Sequence, residues 1–141
     1  MQHNQDPVTS RVIHRINEFL QCYAKNDQEG VLALLDPVEF LIFGSDISEI
    51  VTSTDSLRTM MVNDFALWQS AEFGAIENLN IRCVGDLATA FFHVPFSAAG
   101  GPAIRVRVCM TWRYVSGEWL LTQSANTVPT SDSSAADLLS N

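Results

Sequence analysis

Lysine is nearly missing from this chain: Lys25 is the single one among 141 residues. With 8 Lys plus Arg against 16 Asp plus Glu, the formal charge is −8 at pH 7, which argues against a nucleic-acid partner. Cysteine is scarce too. Cys22, Cys83 and Cys109 stand far apart with no CxxC and no Cys/His cluster, so no zinc site is expected and all three read as small apolar core residues. His3, His14 and His93 are too scattered for a metal triad. GxGxxG, P-loop, GxSxG and HExxH patterns are all missing, and no cofactor is expected. Long apolar runs are missing as well. The stretch Val38 to Phe43 already holds Glu39, so neither a transmembrane helix nor a membrane partner is expected. The segment Met1 to Pro7 has no basic region followed by an apolar stretch, so no secretory leader is expected and the expected location is cytoplasmic.

What the chain does have is apolar residues, 47% against 17% charged, at a length that suits one folded domain. Asp6-Pro7 reads as a helix start, Asp capping and Pro at the first helical position. Val8, Val12, Ile16, Phe19 and Tyr23 then recur at helical spacing to about residue 25, with Arg11, Arg15, Glu18 and Lys25 on the other side. Asn26-Asp27 breaks that helix and caps a short one, Gln28 to Leu35, which Asp36-Pro37 ends. Val38 to Phe43 reads as a buried strand, residues 45–53 as polar loop, and Ser53 or Thr54 as the cap of a third helix to about Ser70. The pattern then changes to strands: Ala75 to Val84, Leu87 to Ser97, Ala103 to Val115 and Glu118 to Val128. The expected fold is α+β, a cone-shaped curved antiparallel sheet wrapped by three N-terminal helices. The domain covers residues 1–129, with a polar tail at 130–141 in which Leu138-Leu139 could dock.

Two-residue turns at Gly85-Asp86 and Ser116-Gly117 set the expected register. One face carries the rows Leu79, Phe92, Val108, Ala125; then Ile81, Ala90, Met110, Gln123; then Cys83, Ala88, Trp112, Leu121. This apolar face should meet the helices. The other face carries Asn78, His93, Arg107 and Asn126, with Phe91, Leu87 and Leu120 among Thr and Arg. No helix is left to cover it, which predicts a homodimer through this outer face.

The segments Asn26-Asp27-Gln28-Glu29-Gly30-Val31-Leu32-Ala33-Leu34-Leu35, Phe40 to Gly44, Val84 to Ala88, Ser116 to Leu121 and Thr127-Val128-Pro129 resemble, in their order and spacing, the nuclear-transport-factor-2-like superfamily. The resemblance is to its SnoaL-like, ketosteroid-isomerase-like branch, and it implies the cystatin-like cone. The superfamily hosts isomerases, cyclases, dehydratases, epoxide hydrolases and non-catalytic association domains, so fold does not assign chemistry. The resemblance places the steroid isomerase Tyr at Phe19, its first Asp within Leu41 to Phe43 and its second at Met110. The His found late in many SnoaL-like chains falls at Ala125. This chain therefore lacks the steroid isomerase set, and negligible ketosteroid isomerase activity is expected.

The expected pocket, suited to a hydrophobic small molecule, is lined by Phe19, Phe40, Ile42, Trp68, Phe92, Met110, Trp112 and Gln123. Tyr23 and Asp64 are the candidate catalytic residues. On the third helix Asp64 lies within ~60° of Leu57, Met61 and Trp68, so its carboxylate should need a partner, with Tyr23 or Gln123 as donor. Three roles stay open: an isomerase, cyclase or dehydratase, a ligand-binding module, or an oligomerisation domain.

Overall fold

The structure, a computed structural model, describes residues 6–129. The expected tail at 130–141, with Leu138-Leu139, lies outside the described residues. Helix α1 runs Pro7–Ala24, and Asp6 accepts from the Val8 amide at its start. Its apolar stripe buries Val12, Ile16, Phe19 and Leu20. Helix α2 is shorter than its sequence pattern suggests, Gln28–Leu32, capped by Asp27, which accepts from the Gly30 amide at 3.0 Å. Helix α3 runs Thr54–Trp68 behind a reciprocal cap between Ser53 and Ser56.

The curved sheet has seven strands: β1 Leu41–Phe43, β2 Ile50–Val51, β3 Ala71–Phe73, β4 Glu77–Val84, β5 Leu87–Ala98, β6 Ile104–Val115 and β7 Glu118–Thr127. Their order is β2-β1-β7-β6-β5-β3, with β4 also pairing β5. All pairs are antiparallel except β1 with β7. Strands β2 and β3 are too short to show a period of two; β2 lies in the stretch 45–53 that reads as loop, and β3 between the third helix and the first long strand.

The β5–β6 register is as expected, Phe96 opposite Ile104 and Val94 opposite Val106. Both flanking registers slip once. In β7 Trp112 still faces Leu121, but Thr111 faces Gln123, leaving Thr122 as an extra residue whose hydroxyl donates to the Glu39 carbonyl. Such a bulge exchanges the faces of everything beyond it. Ser124 is therefore buried where Gln123 was expected, and Asn126 turns inward to the cavity described below. In β4 a second slip falls between Glu77 and Asn80, where Asn78 takes φ +56°.

The narrow end of the cone is solid. Trp112 lies between Ala88 and Leu121 in the sheet, and all three are fully buried, as are Ala90, Val12 and Ile16 in the same core. Cys83, expected in this row, is exposed beside the β4–β5 turn, while Cys22 and Cys109 are half-buried. Leu120, expected on the open outer face, is buried instead. Asp36 is buried to 1% exposure and takes two hydrogen bonds from Arg113, Nε to Oδ2 at 2.6 Å and Nη2 to Oδ1 at 2.8 Å, tying the loop after α2 to β6. No helix among the described residues is long and apolar enough to cross a membrane.

Candidate functional site

The wide end of the cone holds a cavity of about 740 Å³. One wall is a row of aromatic rings from four elements. Phe19 stacks on Tyr23 at 5.9 Å, Tyr23 meets Trp68 at 6.0 Å, Trp68 meets Phe96 edge-on at 4.7 Å, and Phe96 meets Phe73 at 5.2 Å. Ile104, Val106, Val108 and Met110 of β6 continue the apolar lining, and Ser124 and Asn126 add polar points from beyond the β7 bulge.

At one end sits a group of acids. The Tyr23 hydroxyl donates to Asp64 Oδ2 at 2.6 Å, joining α1 to α3. The Glu49 carboxyl, from the loop before β2, lies within hydrogen-bonding reach of Asp64. The Asp46 amide donates to Glu49 Oε1 at 2.9 Å, and the Gly44 amide to the Glu49 carbonyl at 2.8 Å. Gly44 is required here, because a Cβ on it would lie 2.7 Å from the Glu49 Cβ. Asp46 in turn accepts from the Ser48 amide and hydroxyl, which hold its carboxyl below the usual range.

Burial pushes the Asp64 carboxyl up, and the hydrogen bonds from Tyr23 and Glu49 pull it partly back. Burial also pushes Glu49 up; the Asp46 amide opposes this, and the Asp64 charge adds to it. Both carboxyls are therefore held above their ordinary values, side by side. Tyr23 is driven well above its ordinary value, first by burial and then by Asp64. The group is a pair of raised carboxyls, one of them taking the Tyr23 hydroxyl, at the end of an aromatic-walled cavity.

Of the residues expected at the site, the structure brings Tyr23, Asp64, Phe19, Ile42, Trp68 and Met110 to this one cavity. Phe92 and Trp112 are buried in the solid end of the cone, and Phe40 packs half-buried against the core. Gln123 is exposed on the outer face, because the Thr122 bulge turned it there. Glu49, Phe73 and Phe96 were missed. Phe96 was findable, since it shares its face with Phe92 and Val94 in the expected register. Glu49 lies in a loop, where no period marks a facing side. Among the described residues, no group of three or more His, Cys, Asp or Glu is placed to hold a metal ion.

The family model of the SnoaL-like domain matches residues 12–131. No curated protein matches the chain. Among solved structures it is similar to an NTF2-like protein of unknown function from Pseudomonas putida KT2440, at TM-score 0.77 and 14% identity, covering 93% of this chain and 94% of that one. It is similar to a candidate dehydratase of the NTF2-like family from Streptomyces avermitilis, at TM-score 0.76 and 12% identity, covering 87% and 97%. It is also similar to the CamKII hub homology domain of Chlamydomonas reinhardtii, at TM-score 0.71 and 17% identity, covering 87% and 99%. At these identities the likeness shows the cystatin-like fold alone. The match over residues 12–131 shows more: the chain belongs to the SnoaL-like domain family.

Proposed function

We propose that the chain binds a hydrophobic small molecule in the cone cavity and moves a proton on it, as an isomerase, cyclase or dehydratase would, with Asp64 as the base and Tyr23 as its positioning donor. The observation that carries this reading is the 2.6 Å bond from the Tyr23 hydroxyl to Asp64 at the end of an aromatic-walled cavity. A carboxyl raised by burial is the kind of group that exchanges protons near neutral pH. The second reading is a ligand-binding module of the same fold that does no chemistry. The unpaired Cys22, Cys83 and Cys109 suit a reducing compartment, so the expected cytoplasmic location is part of the proposal.

Nile red, a neutral apolar fluorophore, should bind the purified chain, and native mass spectrometry should find a retained small molecule. On the enzyme reading, that molecule incubated in heavy water with the chain takes up deuterium or changes mass, and Asp64→Asn abolishes the change. On the binding reading neither protein alters it. If Nile red does not bind and nothing is retained, both readings fail.

The proposal includes a homodimer through the outer sheet face, supported by Phe91 and Leu87, which are 56% and 42% exposed there. Sedimentation should show a dimer that Phe91→Arg dissociates. A wild-type chain that stays monomeric at about 50 μM would exclude the dimer.

A further inference from the structure

We propose that the polar end of the cavity takes the protonated amino group of a hydrophobic amine, whose apolar body lies along the aromatic wall. This rests on the reading of the cavity as a ligand site and names what that site selects.

The Tyr23 proton is spent on Asp64. The nearby Ser48 hydroxyl donates to Asp46 and the Ser56 hydroxyl to the Ser53 carbonyl. What Tyr23 and Asp64 still offer to a ligand is oxygen lone pairs, so a ligand group that meets them must bring the hydrogen. Charge points the same way. Asp46, Glu49 and Asp64 lie at this end, and among the described residues no Lys, Arg or His lines the cavity. A carboxylate or phosphate would be desolvated there beside two carboxyls with no cationic side chain to pair it. An ammonium instead finds a carboxylate and, beside it, the rings of Tyr23 and Trp68, whose faces attract cations.

Calorimetry on the full chain with 1-naphthylmethylamine, 1-naphthylmethanol and 1-naphthoate, which share one apolar body, tests this. At pH 7.5 the amine should bind at least about 10-fold tighter than the alcohol, and the naphthoate weakest, as expected for one desolvated charge-assisted hydrogen bond. Asp64→Asn and Glu49→Gln, both isosteric, should each cut the amine preference about 10-fold while leaving the alcohol nearly unchanged. Wild-type binding of the alcohol or the naphthoate as tight as the amine would overturn the proposal, as would no binding of the amine. If Nile red still binds in those cases, the cavity reading stands and only the ligand class falls. If Nile red also fails, both fall together.

Discussion

The Tyr23 hydroxyl and Asp64 Oδ2 lie 2.6 Å apart, the one on α1 and the other on α3. Neither helix packs its whole length against the other; the bond forms where both reach the wide end of the cone. Because the hydroxyl stabilises the ionised form of Asp64, it holds that carboxyl lower than burial alone would. Tyr23→Phe removes the donor and keeps the ring against Phe19 and Trp68. The Asp64–Glu49 pair should then titrate higher than in the wild type, read from carboxyl carbon shifts by NMR. Stability at neutral pH should fall by about 1–3 kcal/mol, the range for a partly buried bond to a charged acceptor. A pair that titrates at the same or lower pH in Tyr23→Phe would mean the hydroxyl does not bond Asp64 in solution.

How far this site was legible depends on the kind of element each residue occupies. Tyr23 and Asp64 could be assigned inward because a helix fixes the angle of each side chain from its neighbours, and Phe19, Leu57 and Met61 give the reference. The β5–β6 hairpin was legible through its alternation, with Phe92, Val94 and Phe96 buried against Val106 and Val108. Gln123 was not. The tight turn at Ser116-Gly117 sets the register as far as Trp112 and Leu121, and the Thr122 bulge then adds a residue that no local turn chemistry announces. Glu49 was illegible for a different reason. Its position depends on Gly44 and the Asp46 amide within an irregular loop, where side-chain direction has no period to read.

Asp36 gives a prediction about acid stability. It was read as the residue that ends α2, yet it is buried and doubly bonded by Arg113. The Arg113 bonds hold its carboxyl below the ordinary value of 3.8, so the folded chain stabilises the ionised form. That contribution is complete above the unfolded-state value and is lost as pH falls through the lower folded value. Asp36→Ala leaves Arg113 without its partner. It should cost about 3 kcal/mol at pH 7, the low end for a broken buried pair because Arg113 keeps some water contact. Urea melts across pH should show a constant gap between wild type and variant down to ~pH 4, closing below it. A gap already closing near pH 6 would place the stabilising ionisation on another group.

Gly44 is the test of how Glu49 is held. The loop brings the Glu49 side chain flat across this glycine, with its Cβ, Cδ and Oε1 all within 2.9 Å of where an alanine methyl would stand. The nearest of these is Cβ, which cannot swing aside without moving its own backbone. Gly44→Ala should therefore lift Glu49 away from Asp64 while leaving the aromatic wall from Phe19 to Phe73 in place. Overpacking of this kind costs about 1–3 kcal/mol, so the variant should still fold if the chain has ordinary stability. Once exposed to water and parted from the Asp64 charge, Glu49 should titrate lower, near the ordinary carboxylate value, in the same NMR experiment. Asp64, losing the Glu49 hydrogen bond that lowers it, should titrate higher in response. Nile red binding should persist, because its contacts are with the rings and with Met110, Val108 and Val106. An unchanged Glu49 titration in a folded Gly44→Ala chain would show that the loop, not the glycine, decides where that carboxyl sits.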